Sequence, residues 1–261
     1  MIALFGLVGQ IAFSYSLPST PQAYGIRVDF DGYLPVLGGI EQKARLEFSI
    51  ELQQKAAGKG FLRLGSFDLS VMDEQGTGYV RLPLSLDSAK EYFPDTNLDF
   101  TPLGKILKTD APDLELPIKL PGLHTRHMPE LTVFLLEFPE GGVRPDVPFA
   151  FVRNLGGSKV RYEVVHKGRG ELGERFDLKV TQDYETWEDE NRNPILGKEG
   201  ARFRVVTHVE GTGAVYMTGP SGRIRQANVT ADARSVVYSL EGQKAGDRRL
   251  KTSFELREKQ P

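Results

Sequence analysis

The chain has 261 residues, of which 39% are hydrophobic and 26% charged, a balance that suits a folded soluble protein and excludes a disordered chain or a membrane-embedded bundle. Its 33 Lys and Arg against 35 Asp and Glu leave a formal charge of −2, which gives no electrostatic ground for nucleic acid as a partner. The absence of cysteine excludes disulfides, thiolate nucleophiles, zinc ribbons, cysteine-held iron–sulfur clusters and a lipoprotein anchor.

The chain opens on MIALFGLVGQIAFSYS. An apolar run from Ile2 to Phe13, followed by the small residues Ser14 and Ser16, predicts a signal peptide over residues 1–16 and export to the periplasm or beyond. The run is too short to span a membrane, and no Lys or Arg precedes it, so the alternative is a buried first element.

From residue 24 onward the dominant pattern is alternation. In KARLEFSIELQ, Ala44, Leu46, Phe48, Ile50 and Leu52 face one way while Arg45, Glu47, Ser49 and Glu51 face the other, as in a half-buried antiparallel strand. The same phase recurs at Phe67, Leu69 and Val71, and at Val80, Leu82 and Leu84. SLDSAKEYF, with Asp87 or Ser88 as cap, predicts a short helix. Pro112, Pro117, Pro121 and Pro129 mark a surface excursion over residues 110–129. MPELTVFLLEFP then reads as a helix begun by Pro129 and ended by Pro139, or as a buried strand. These breaks divide the chain into a first β-rich half, 24–139, and a second, 149–258.

In the second half the alternation returns at Val160, Tyr162 and Val164, at Phe176, Leu178 and Val180, at Phe203, Val205, Thr207 and Val209, and at Leu250, Thr252, Phe254 and Leu256. DFTPLGKILK and YMTGPSGRIRQ share a Thr, a turn with Pro and Gly, and a cationic residue before Ile, a pattern that suggests two related halves. In HKGRGELG, Gly168, Gly170 and Gly173 match the spacing of a dinucleotide cradle, which needs a helix to follow. ERFDLKV alternates instead, so the spacing predicts a hairpin in which residues 158–166 and 174–182 are hydrogen-bonded neighbours.

Candidate site residues are few. Tyr184 and Trp187 are candidate ligand-binding aromatics, as a stacking platform or as core anchors. Asp189, Asn191 and Asn193 stand at the first, third and fifth positions of a calcium loop, but Pro194 replaces its glycine and Gly200 its last carboxylate. That leaves a looser cation site or a solvated loop. His124 and His127 sit in the excursion, His166 in an inward phase and His208 in an outward one. GPSGR has Arg223 where a nucleophile elbow needs glycine, and no S-x-x-K, H-E-x-x-H or phosphate loop occurs. No catalytic residue is assigned and no cofactor is implied.

The fold expected is mainly β: about ten to twelve antiparallel strands forming a curved half-barrel or a sandwich, with one or two short helices. In layout, residues 24–258 resemble exported bacterial β-rich domains of unknown function and are similar to the lipoprotein-localisation carriers. That resemblance implies an incomplete antiparallel barrel that holds lipid acyl chains, although the carriers line it with more helix than this chain offers. Strands with one apolar face must cover it with a sheet, a helix or a ligand. The leading expectation is therefore an exported, non-enzymatic protein of the cell envelope that binds a lipid or other apolar ligand, or an envelope protein, with no transmembrane segment in the mature chain. The alternatives are an envelope hydrolase acting on glycans through paired carboxylates, and a structural or adhesive module.

Overall fold

Apolar residues at alternate positions are satisfied by strands with one face turned inward. The computed structural model describes residues 9–35, 39–111, 135–155 and 158–259. The first half holds β1 (Ser14–Tyr15), β2 (Gln22–Leu34), β3 (Ile40–Ala56), β4 (Lys59–Met72), β5 (Tyr79–Arg81), α1 (Leu86–Tyr92), β6 (Thr96–Phe100) and β7 (Ile106–Thr109). The second holds β8 (Pro148–Leu155), β9 (Ser158–Gly170), β10 (Gly173–Glu188), β11 (Pro194–Ile195), β12 (Phe203–Met217), β13 (Ser221–Gly222), β14 (Ile224–Ser239) and β15 (Lys244–Glu258). The helix begins two or three residues earlier than expected, because Ser85 rather than Asp87 or Ser88 caps it, its Oγ accepting from the Ser88 N–H at 3.0 Å. Of MPELTVFLLEFP, residues up to 134, Pro129 among them, lie outside the described ones, as do Pro112, Pro117, Pro121, His124 and His127; Leu135–Pro139 are not helical.

Eleven strands follow one another in the order β7-β6-β4-β3-β2-β15-β14-β12-β10-β9-β8, with β5 added to β4 and β11 to β10. All these pairings are antiparallel, and the last strand, β15, pairs with β2, so both halves of the chain belong to one sheet. The sheet is not closed: β7 and β8 are its two ends, and the chain that joins them is the stretch marked by prolines. The glycine-rich stretch is the expected hairpin, with Gln182 opposite Val160, Phe176 opposite His166 and Gly173 opposite Gly170. Gly173 has φ +113°, and a side chain there would collide with Met217 O at 1.9 Å, so only glycine fits. A bulge between Ser49 and Ile50 shifts the phase of β4, which lets Leu62 and Leu64 before it and Phe67, Leu69 and Val71 after it all turn inward.

Two contacts show how strongly the sheet curls. Neighbouring strands lie about 4.8 Å apart, so the ends of an eleven-strand flat sheet would be roughly 48 Å apart. Yet Arg153 Nη2 on β8 donates to Gly104 O, in the β6–β7 turn, at 3.3 Å. Likewise Arg248 on β15 reaches Glu188 on β10 across β14 and β12, Nη2 to Oε2 at 3.0 Å. The strands therefore form a ring with a single seam, between β7 and β8.

At the lower end of the ring, where the β6–β7 and β12–β14 turns lie, two stretches of chain fill the interior. Ser14 and Tyr15 pair in parallel with Ser221 and Gly222, and Ile11 exchanges two backbone hydrogen bonds of 2.8 Å with Val143. The Tyr15 hydroxyl accepts from the Leu136 N–H at 2.6 Å, and the Phe138 N–H donates to Leu103 O at 2.9 Å. Phe13, 2% exposed, meets Phe138, His166 and Phe176 with ring centroids 5.0–5.2 Å apart. The tail of the sequence's apolar opening is thus a core element of the fold.

Candidate functional site

Following the inward residues from the lower end of the ring upward, Tyr24, Phe176, Val215, Met217, Ile224 and Leu256 are fully buried against the two inner stretches. Towards the upper end the wall changes character. Phe67, Leu69 and Val71 on β4 and Val180 and Tyr184 on β10 point inward but are only partly buried.

A polar row crosses the upper interior. Tyr184, Thr207, Ser235 and Arg248 are successive cross-strand neighbours on β10, β12, β14 and β15. The Thr207 and Ser235 hydroxyls are 2.8 Å apart, and Tyr184 shares a hydrogen bond with Thr207. Burial pushes the Tyr184 phenol up to about 12, against the opposing pull of Thr207, because it leaves the phenolate little solvent to stabilise it. Above this row, Arg248 grips Glu188 with both guanidinium nitrogens. Arg192 Nη1 lies 3.8 Å from the same carboxylate and stacks on Phe203, while Arg248 covers the Tyr33 ring at 3.9 Å. Glu188 is only 3% exposed, so this is a buried, neutralised cap on the upper interior.

Among the described residues, two inward-facing polar atoms are buried without a hydrogen-bond partner: Thr252 Oγ1 and His166 Nδ1. His166, in the inward phase as expected, is 1% exposed and bonds Glu174 Oε2 through Nε2 at 2.8 Å. His208, outward as expected, is exposed beside Asp183.

The candidate aromatics do not form one platform. Residues three apart on a strand face opposite ways, so Tyr184 points into the ring while Trp187 lies on the outer face beneath the Lys198 ammonium, 5.1 Å from its centroid. Asp189 turns its carboxylate into its own loop, accepting the Asn191 and Asn193 N–H groups at 2.8 Å and the Asn193 amide at 3.0 Å. These bonds, the Asn193 side chain foremost, hold the Asp189 carboxyl below its usual range. Asp189, Asn191 and Asn193 thus build a turn, and among the described residues no group of three or more His, Cys, Asp or Glu is placed to hold a metal. On the outer face, open hollows of about 600 and 730 Å³ share a floor of Thr212, Thr230 and Ser253; the carboxylates Asp29 and Asp232 at the rim of the first are tied to arginines. Among the described residues no helix is long and apolar enough to cross a membrane.

Glu188 and Arg248 were missed from the sequence although a signal was present. Each is a charged residue in the inward phase of an apolar strand, after Leu178, Val180 and Tyr184 in one case and before Leu250 and Phe254 in the other.

No family model and no curated protein matches the chain. Among solved structures the answer is different. The fold is similar to part of lipovitellin. That structure, described as "lipid-protein interactions in lipovitellin", aligns with a TM-score of 0.56 at 14% identity over 93% of this chain. The chain spans only 25% of the lipovitellin chain, so the likeness concerns one region of a larger protein and shows the fold alone. A conserved protein of unknown function with a hot dog fold, from Alicyclobacillus acidocaldarius, aligns over 93% of this chain and 80% of its own at 13% identity, with a TM-score of 0.13 that carries no argument.

Proposed function

We propose that the protein binds an apolar ligand, a lipid, inside its ring of strands. The observation that carries this reading is the wall of Phe67, Leu69 and Val71, which points into the protein's own interior and yet is only partly buried. Full burial of such a side chain gains about 1.5–3 kcal/mol, so three of them left short of full burial on the inward face suit a molecule that completes their contacts. The seam between β7 and β8 is a break in the ring, and the likeness to lipovitellin supports a sheet of this kind serving a lipid. The test is organic extraction of the purified, folded protein followed by lipid mass spectrometry. Near-stoichiometric lipid is expected in the wild type, with at least fivefold less in a Leu69→Asp variant of unchanged circular dichroism. A wild type that carries no lipid and takes up no Nile red would overturn the reading.

Export to the cell envelope belongs to the same proposal and rests on the apolar N-terminal run. Because Phe13 and Tyr15 are core residues, cleavage after Ser16 would strip the lower interior of both. The proposal therefore has processing upstream of Ile11. N-terminal sequencing of protein recovered from the periplasm checks this, and a mature, folded chain beginning at Leu17 would refute it.

A further inference from the structure

The chemistry of the ligand follows from one orphaned hydroxyl, given the lipid-binding reading above. Thr252 is 5% exposed and its Oγ1 has no hydrogen-bond partner. A buried hydroxyl left unpaired costs about 1–3 kcal/mol, and an apolar isostere would avoid that cost, so an orphan in the inward phase of an apolar strand calls for a partner. Its row across the ring is unusually spare. Thr252 stands opposite Ala231 on one side and Phe30 on the other, Ala231 opposite Gly211, and Phe30 opposite Ala44. Gly211, Ala231 and Ala44 have at most one side-chain carbon each, so in this row only Thr252 and Phe30 carry larger side chains.

The surroundings decide the charge of what would meet Thr252. The inward cations near the ring's interior are already committed: Arg248 to Glu188, and Arg153 to Glu137 and the Leu135 carbonyl. Arg248 also lies four residues along β15 from Thr252, roughly 13 Å by the rise of a strand. An ionised carboxylate brought there would be buried without a counter-charge, which is far costlier than burying a neutral oxygen. A threonine hydroxyl, by contrast, donates to an ester or ketone carbonyl and accepts from an alcohol.

We infer that the interior takes a neutral lipid bearing a hydroxyl or ester oxygen, which bonds Thr252, in preference to a free fatty acid or a plain hydrocarbon. The experiment is displacement of Nile red from the full-length protein by oleyl alcohol, 1-monooleoylglycerol, oleic acid and hexadecane. The wild type is expected to respond to the alcohol and the monoacylglycerol at concentrations at least tenfold lower than to the acid or the alkane. Thr252→Val keeps the shape and removes the hydroxyl: it should lose at least fivefold of that preference and melt no lower than the wild type. Thr252→Ser, which retains the hydroxyl, should keep the preference. Equal displacement by oleic acid, or a preference that survives in Thr252→Val, would overturn the inference while leaving a lipid-binding interior intact. Failure of Nile red and all four lipids to bind the wild type would remove the lipid-binding reading itself.

Discussion

At the scale of single residues, the interior is governed by polar groups that burial forces into fixed protonation states. Tyr184 ionises near 10.0 when unfolded and near 12 when folded. Between those values the unfolded chain gives up the phenolic proton while the folded one retains it, so stability is complete below pH 10 and falls as pH rises towards 12. The loss from Tyr184 alone should be about 2–3 kcal/mol. Burial drives Tyr15 and Tyr24 the same way, so urea melts should show a steep alkaline decline. Tyr184→Phe should flatten that decline by its own share, and an unchanged pH profile in the variant would show that Tyr184 is not sealed. The Glu188–Arg248 pair makes a sharper demand. With Glu188 nearly inaccessible, Arg248→Ala leaves a buried carboxylate held only by Arg192 at 3.8 Å and should cost about 3–5 kcal/mol. Replacing both, as Glu188→Leu with Arg248→Met, should restore much of that loss in chemical denaturation. A single substitution costing under about 1 kcal/mol would mean that the pair follows the curl of the sheet without holding it.

At the scale of elements, the two short patterns that suggested related halves are two turns doing one job. In the first, the Thr101 N–H donates to Lys105 O and the Lys105 N–H to Thr101 Oγ1; in the second, Thr218 and Arg223 make the same pair of bonds. Each turn then presents a proline carbonyl to the N-terminal stretch, Pro220 to the Ser14 N–H and Pro102 to the Tyr15 N–H, both at 2.8 Å. Gly104, at φ +87°, is packed so closely that a Cβ would stand 2.1 Å from Leu136 O and 2.6 Å from the Tyr15 ring. Gly104→Ala should therefore destabilise by more than the 1 kcal/mol or so of an ordinary glycine substitution, and it should speed hydrogen exchange at Ser14–Ser16 ahead of the β12 amides. Uniform exchange across both would deny the stretch a separate opening. Such turns show why part of the fold was legible in sequence: Thr, Pro and Gly at fixed offsets are local chemistry, as is the alternation that placed β3, β9 and β10. The same alternation separates Tyr184 from Trp187, three residues apart, onto opposite faces. The grip of Arg248 on Glu188 was not legible, because it depends on how far three strand spacings curl. Nor was the role of Phe13, because an apolar N-terminal run reads alike whether it is a leader or a core segment.

At the scale of the whole molecule, the ring has one break, and the chain holds its lower part together without pairing β7 to β8. Arg153 crosses from β8 to Gly104 and Leu135, and the stretch from Ile11 to Leu17 touches the end of β3 and the β6–β7 and β12–β14 connections. A two-residue parallel pairing, Ser14–Tyr15 on Ser221–Gly222, is one of these attachments, and it is where the design can be tested. The Ser14 and Ser221 hydroxyl oxygens are 3.2 Å apart, and the chain has no cysteine to compete, so Ser14→Cys with Ser221→Cys should oxidise to a single disulfide. The bridge would close most of the chain into one loop, and loops of that size stabilise by about 2–4 kcal/mol where the native geometry accepts the bond. If the N-terminal stretch folds with the ring as one cooperative unit, the oxidised protein should gain several degrees in Tm over its reduced form, with a single transition in both. If the stretch instead detaches before the ring unfolds, the reduced protein should show an early transition by fluorescence of a label at its end, and oxidation should abolish that transition while leaving the main one unmoved. A ring that needs its N-terminal stretch to close requires the first outcome.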